Sequence, residues 1–213
     1  MKFPMQPILT NSNLRLSGVS NFQFCLANPK PCRMRNILTF IFIGLYFVAR
    51  AQVYVPVDAT SKVNFKIKNF GSSVDGSFKG LKGIINFDAS ALSDAKFDVT
   101  IEATAIDTGI GMRDNHLSKP DYFGATNFPT IRFVSTKVIA SDKPKEAIIT
   151  GNLTIKKTTK EVNFPFRYSQ DKGVLQFTGE FKINRRDFDV GGRSISLADE
   201  LTVLLDVKAN KVK

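Results

Sequence analysis

A two-residue alternation of apolar and polar side chains recurs along the chain from about residue 53 onward. In one segment, Val63, Phe65 and Ile67 alternate with asparagine and lysine residues. A strand with this pattern buries one face and exposes the other, which is typical of antiparallel sheets. The pattern returns in three further segments: Phe97–Ala103, Phe164–Tyr168 and Leu201–Val207.

Four other segments are rich in strand-forming residues, and turn-forming residues separate the strands. These segments are Leu81–Phe87, Thr130–Ile139, Ala147–Lys156 and Val174–Asn184, with turn signals at Asn69–Gly71, Asp142–Pro144, Gln170–Gly173 and Gly191–Gly192. About nine short strands predict an all-β domain, either an antiparallel barrel or a sandwich. The nineteen phenylalanines suit the interior of either fold. A closed barrel of about eight strands could also enclose one small ligand.

The alternation is interrupted over Gly109–Phe123, which includes GMRDNHL (residues 111–117) and the only histidine, His116. This segment predicts a short helix, with Asp114 as a candidate N-cap and Pro120 limiting its length. The question is whether its polar residues catalyse a reaction or support the fold.

A hydrolase could use Asp107, Asp114 and His116, because a histidine beside a carboxylate can act as a general base. Asp107 also begins the Asp-Thr-Gly tripeptide of aspartic peptidases, but their chemistry needs two such carboxylates and the tripeptide occurs once. The Gly-x-Ser-x-Gly motif is absent, and one histidine is a weak basis for a metal site. We therefore predict no catalytic site and no metal site.

Residues 34–51 resemble a secretory signal. Arg35 is followed by the twelve-residue apolar stretch Ile37–Val48 and by Ala49-Arg50-Ala51, which has the form of a cleavage site. The apolar stretch is shorter than the ~20 residues of a transmembrane helix. We interpret residues 1–33 as a mis-assigned N-terminal extension, residues 34–51 as the signal peptide and residues 52–213 as the mature domain. A periplasmic or secreted protein without a membrane span after cleavage is expected.

Removal of residues 1–51 would change the charge and the cysteine content. These residues contain six of the thirty Lys and Arg residues and no acid, so the mature net charge is 24 − 19 = +5. Both cysteines also lie there, which leaves no thiol for a disulfide or a metal. The basic pairs at 156–157 and 185–186 fit solvated strand faces and turns better than a nucleic-acid site, although they could also contact an anionic head group. We predict no nucleic-acid partner.

Four segments, taken in order, resemble one protein family. They are VPVDATSKVNFKIKNFGSSVDGSFKGLKGIINFD (55–88), IDTGIGMRDNHLSKPDYFGATNFPTIRF (106–133), GNLTIKKTTKEVNFPF (151–166) and INRRDFDVGG (183–192). Together they follow the pattern of the YceI family of exported bacterial proteins, which are also described as polyisoprenoid-binding. The resemblance extends from about Tyr54 to Ala209. Its most specific part is RDNHL followed by FPTIRF.

The resemblance implies a lipocalin-like antiparallel barrel of eight strands with one short helical insertion and an apolar tunnel. It implies a lipid-binding protein and no enzyme, with a long-chain isoprenoid, isoprenoid quinone or similar amphiphile as ligand and no required cofactor. The family-motif residues Arg113, Asp114, His116 and Leu117 are then structural. A homodimer is compatible with the resemblance. Family members commonly have Trp and His where this chain has Tyr54 and Asn69, so an altered cavity rim is expected.

The predicted tunnel lining consists of the apolar residues in the inward phase of each strand. These are Phe65, Ile67, Phe97, Val99, Ile101, Ile131, Phe133, Leu153, Ile155, Phe164, Phe166, Phe177, Phe181, Leu201 and Val203. The main alternative is a ligand-free secreted β-sandwich with a stress or structural role, which would have no internal cavity of ligand size.

Overall fold

The computed structural model describes residues 52–212. The interpretations of residues 1–33 and 34–51 lie outside the described residues and stay predictions. The strands are β1 (Gln52–Pro56), β2 (Lys62–Asn69), β3 (Ser72–Phe78), β4 (Lys82–Phe87), β5 (Lys96–Glu102), β6 (Ile106–Asp107), β7 (Thr130–Ala140), β8 (Glu146–Ile155), β9 (Thr158–Asp171), β10 (Val174–Asn184) and β11 (Leu197–Lys211). The helix α1 spans Gly111–Leu117, and short 3-10 turns cover Asp58–Thr60, Leu92–Asp94, Ala103–Ala105 and Arg185–Phe188.

Eight strands close into an antiparallel barrel in the order β1-β4-β5-β7-β8-β9-β10-β11, with β11 pairing back to β1. Along this edge, the long strand β11 pairs with two strands, β1 and β2. Its last residues, from Ala209 to Lys211, pair with β1, whereas its first part pairs with β2. Strands β3 and β6 continue the sheet beyond β2. The predicted eight-stranded barrel with one helical insertion is confirmed.

Strands β1, β3 and β6 were not among the predicted strands. In β3, with the sequence SSVDGSF, Val74 and Phe78 are apolar but the position between them is Gly76. Phe65 on β2 lies opposite Gly76, and its ring occupies the space that a side chain at Gly76 would fill. The Phe65 ring of the neighbouring strand thus fills the space of the missing apolar side chain. The alternation within β3 alone cannot predict this, because the ring belongs to another strand.

The barrel interior contains two groups of buried side chains. The floor cluster consists of Tyr54, Ile85, Phe87, Ala95, Phe97, Val138, Ala147, Ile149, Phe164, Phe166, Leu175, Phe177 and Ala209. The top cluster consists of Ala103, Ala125, Ile131, Leu153, Ile155, Phe188 and Val190. Phe133 and Val162 pack against both clusters. The floor cluster comes mostly from strands, whereas Ala125, Phe188 and Val190 of the top cluster come from the segments that connect them.

The predicted helix in GMRDNHL is present, but Asp114 does not cap it. Ile110 occupies the N-cap position, and Asp114 lies within the helix. The Asp114 carboxylate accepts hydrogen bonds from the backbone N–H and the hydroxyl of Thr108, two residues before the cap. The carboxylate therefore holds the segment that precedes the helix, at Thr108, against the helix. Within residues 52–212, no helix is long and apolar enough to cross a membrane.

Candidate functional site

An internal cavity of about 260 Å³ lies inside the barrel. This volume is near the lower limit of roughly 300 Å³ for small-molecule pockets. All fifteen residues predicted for the tunnel contribute to its lining. Their inward orientation follows from the alternation, because successive side chains of a strand point to opposite faces. Their contact with a ligand stays a prediction.

Aromatic rings of the floor cluster close one end of this cavity. The ring of Phe177 packs edge-on against Phe87 and Phe97, with centroid distances of 5.1 and 5.2 Å. Phe166 lies 5.7 Å from Phe97 and 5.9 Å from Phe177. Edge-to-face contacts at these distances add to the stabilisation from burial alone. Phe97, Phe166 and Phe177 also line the cavity, so this end is apolar and tightly packed.

The wall of the barrel separates between β9 and β10. Their pairing extends from Val174 to Gly179, which lies opposite Phe166. Beyond this point β9 continues to pair with β8, and β10 continues to pair with β11. The rings of Phe164 and Phe181 stack across the separation, with a centroid distance of 4.2 Å and an angle of 11°. Gly179 occupies an inward position and lines the cavity without a side chain to fill it.

Helix α1 contributes two residues to the cavity wall, Arg113 and Leu117. The Nε and Nη2 atoms of Arg113 donate to the hydroxyl and carbonyl oxygens of Thr108, at 2.7 and 2.6 Å. These bonds hold the guanidinium against the chain that precedes the helix. The structure therefore places two of the four family-motif residues, Arg113 and Leu117, at the cavity, and the structural role predicted for the motif stays a prediction.

The residues of the hydrolase hypothesis do not converge on the cavity. Within residues 52–212, none of Asp107, Asp114 and His116 lines it. Asp107 is exposed and accepts a hydrogen bond from the backbone N–H of Gly109. His116 is also exposed, and its ring centroid lies 4.9 Å from that of Tyr122. In the same range, no group of three or more His, Cys, Asp or Glu residues could hold a metal ion.

The end of the barrel beside the top cluster is held by two basic residues. Arg185 is only 3% exposed, and it donates to the carbonyls of Val190, Gly191, Gly192 and Ala198 and to Asp199. The Nζ atom of Lys156 donates to the carbonyls of Pro120 and Asp189. The interpretation of Arg185 as solvated is wrong, because connecting segments bring backbone acceptors to its buried side chain, whereas Lys156 is only half-buried. The donors of Arg185 therefore serve the protein's own carbonyls rather than an anionic head group.

The two positions that depart from the family pattern lie in different environments. Tyr54 is 2% exposed within the floor cluster, so its assignment to the cavity rim is wrong. Burial raises the pKa of its phenol, and the nearby Asp88 carboxylate adds to the increase. Asn69, in contrast, lines the cavity at the end of β2.

Several lining residues were absent from the sequence prediction. Three of them, Val63, Leu205 and Val207, belong to alternations that had been recognised and could have been included. Others come from unpredicted strands or from connecting segments, where no two-residue pattern marks the inward side. These are Val74, Phe78, Tyr122, Phe123 and Val190, whereas Leu197 is the first residue of β11 and lies before the predicted alternation of that strand.

Comparison of the sequence with known protein families and with curated proteins finds similarity to the YceI-like family. The model of the YceI-like domain matches residues 54–209. The Salmonella agona protein YceI is 29% identical over 191 residues, which covers 84% of this chain and 99% of that protein.

Solved structures with the same fold include BcnA from Burkholderia cenocepacia, with 26% identity and a TM-score of 0.70 over 73% of this chain and 99% of that chain. The Campylobacter jejuni YCEI protein has 30% identity and a TM-score of 0.60 over 67% and 87%. A polyisoprenoid binding domain from Saccharophagus degradans has 11% identity and a TM-score of 0.61 over 76% and 100%, and this similarity concerns the fold.

Proposed function

The chain belongs to the YceI-like family, and from this premise we propose that it is a lipid-binding protein that holds a long-chain isoprenoid or similar amphiphile in its barrel cavity. The observation that carries the proposal is the continuous apolar lining, from the rings of the floor cluster to the residues of helix α1. The fold shared with a polyisoprenoid binding domain supports this choice of ligand class.

The physical reason for this choice is the amount of apolar surface that such a ligand can bury. Each methylene group removed from water contributes roughly 0.8 kcal/mol. A long branched hydrocarbon chain can therefore bind with few polar contacts. An isoprenoid quinone can fill the same cavity, because its tail has the same chemistry. The protein acts in this proposal by enclosing the ligand and needs no cofactor or catalytic residue.

The proposal also places the protein in the periplasm or outside the cell. Its support is the charged, apolar and small-residue pattern of residues 34–51. N-terminal sequencing of the protein purified from its source cells tests this part. We expect the first residue to be Gln52. A protein that keeps residues 34–51 would contradict export by cleavage.

Gly179 offers a direct test of the cavity as the ligand site. A Cβ atom at this position would lie 3.4 Å from the Pro165 carbonyl oxygen and 3.5 Å from the Cβ atom of Phe166, which are ordinary contact distances. Gly179→Val should therefore fold normally and project its methyl groups into the cavity. Thr202→Val is the matched control. Thr202 alternates with the inward residues Leu201 and Val203 of β11, so the new valine points away from the cavity.

The measurement is native mass spectrometry of delipidated protein after addition of isoprenoid quinones with tails of increasing length. We expect one bound ligand in the unaltered protein and in Thr202→Val. In Gly179→Val, affinity should fall, and the loss should increase with tail length. An unaltered protein that is recovered empty and binds none of the quinones would contradict the proposed function. Equal binding by all three proteins would place the ligand outside this cavity.

A further inference from the structure

Asn69 continues the inward apolar series of β2 with a polar side chain. The inward positions of β2 are Val63, Phe65 and Ile67, and Asn69 follows in the same phase. Within residues 52–212, its Oδ1 atom is the one buried side-chain oxygen or nitrogen without a hydrogen-bond partner. A buried acceptor without a partner costs about 1–3 kcal/mol, so such an atom needs an explanation.

The other polar side chains beside it are already bonded within the protein. Leu197 pairs with Asn69 across the β2–β11 ladder, and the Nη2 atom of Arg185 approaches the carbonyl of Leu197 at 3.4 Å. The remaining bonds of Arg185 go to neighbouring carbonyls and to Asp199. Arg113, on the helix, is bonded to Thr108. The amide of Asn69 therefore presents an acceptor to the cavity, and its neighbours do not use it.

The position of Asn69 also fixes an orientation for the ligand. Strand β11 extends from Leu197, opposite Asn69, to Ala209 in the floor cluster. Asn69 and the floor cluster thus lie at opposite ends of the cavity. An amphiphile whose hydrocarbon tail contacts Phe166 and Phe177 can place its polar end beside the Asn69 amide.

We propose that the Asn69 carboxamide binds the polar end of the ligand and selects a neutral head group with a hydrogen-bond donor, such as a long-chain isoprenoid alcohol. This inference rests on the proposed function and adds the chemistry of the head group. A hydroxyl can donate to the Oδ1 atom, whereas an ether or a hydrocarbon end leaves it unpaired. A fully ionised phosphate has no hydrogen to donate to the Oδ1 atom, and the donors of Arg185 are bonded to backbone carbonyls and Asp199.

The test compares geranylgeraniol with its methyl ether, which has the same tail but no donor. Both compounds are added in equal amounts to delipidated protein, and native mass spectrometry gives the ratio of the two complexes. We expect the unaltered protein to prefer the alcohol about tenfold, the size of one well-formed hydrogen bond in a buried site. Asn69→Leu should bind both compounds with similar affinity.

Asn152→Leu is the matched control. Asn152 is an exposed asparagine on β8 at an outward position, so its replacement should leave the preference for the alcohol unchanged. If both compounds bind the unaltered protein equally, or if Asn69→Leu keeps the preference, the role of Asn69 is wrong while the proposed function stands. If neither compound binds any of the proteins, the proposed function itself fails.

A second measurement avoids substitution of Asn69. In unaltered protein with ¹³C-labelled asparagine carboxamides, the Asn69 resonance should move on addition of the alcohol and stay in place on addition of the ether. Identical shifts with the two compounds would overturn the proposal. This result does not depend on the folding of any variant.

Discussion

The two ends of the barrel are closed by different kinds of interaction. At the floor cluster, side chains from regular strands meet, and the aromatic rings pack edge-on at centroid distances such as 5.1 Å for Phe87 and Phe177. At the opposite end, connecting segments cross the barrel and are held by hydrogen bonds from Arg185 and Lys156 to backbone carbonyls. One end is thus closed by buried apolar area and the other by a few polar links.

Because of this difference, one end of the barrel should determine the stability of the domain and the other should determine how a ligand reaches the cavity. Buried apolar surface is lost only when strands separate, so the floor cluster should unfold with the whole domain. Segments held by a few hydrogen bonds can open locally at a smaller cost in free energy. We therefore expect the floor cluster to dominate the free energy of unfolding and the end held by Arg185 to control how a ligand enters.

The largest expected effect comes from Phe166→Ala in the floor cluster. Phe166 is 5% exposed, and its ring contacts Phe87, Phe97, Tyr168 and Phe177. Its truncation enlarges the barrel cavity beside the packed rings, and such substitutions lower the free energy of unfolding by about 3–5 kcal/mol. Urea denaturation of the delipidated protein measures this loss.

The control for this variant is Phe70→Ala, which removes the same ring from a turn where the side chain is 82% exposed. The midpoint of its denaturation should stay close to that of the unaltered protein. If the two variants lose similar amounts of stability, the floor cluster is not the main source of folding free energy.

A smaller and more local effect is expected from Arg185→Met. The substitution keeps an apolar stem but leaves the carbonyls of Val190, Gly191 and Gly192 without their donor. Each buried unpaired carbonyl costs about 1–3 kcal/mol, and movement of the segment into water relieves part of that cost. We expect faster hydrogen exchange at the amides of residues 190–198 and little change in the strands of the floor cluster.

Arg186→Met is the control, because Arg186 is exposed and its Nη1 atom lies 3.4 Å from Asp199 Oδ2. Its exchange pattern should match that of the unaltered protein. Equal acceleration of exchange throughout the barrel in Arg185→Met would show that the two ends unfold together, and the proposed separation would be wrong.

The same contrast explains which features could be predicted from the sequence. The strands that contribute Phe97, Phe166 and Phe177 could be identified because alternation depends on local order alone. The burial of Arg185 could not be predicted in this way, because its acceptors come from residues 190–199, which approach it only in the folded chain. A basic residue is usually exposed, so composition favoured the wrong environment.

Asn69 shows the same limit at the candidate site. Its place in the turn signal Asn69–Gly71 concealed the fact that it also continues the inward phase of β2. The alternation could have placed its side chain inside the barrel. The lack of a partner for its Oδ1 atom could not be predicted, because it depends on how strand β11 and Arg185 pack beside Asn69 in the folded chain.

The smallest expected effect comes from Asp98→Asn, on the outer surface beside the floor cluster. Arg132 donates two hydrogen bonds to the Asp98 carboxylate, from Nε at 2.9 Å and from Nη2 at 2.6 Å, and both side chains are about half exposed. These bonds hold the pKa of Asp98 below its usual range. A carboxyl with a lowered folded pKa contributes stability above its unfolded pKa and loses that contribution as pH falls through the folded pKa.

The unaltered protein should therefore be slightly more stable than Asp98→Asn at pH ~7, and the difference should be smaller at pH ~2, because protonation of the carboxylate removes it as pH falls through the lowered folded pKa. Urea denaturation at both pH values measures it, with Asp75→Asn as the control because its contact with Lys66 is longer, at 3.7 Å. Water and salt screen exposed pairs, so the loss should be well below that of Phe166→Ala. A loss comparable to Phe166→Ala would mean that surface charge, rather than the packed rings inside, stabilises this end of the barrel.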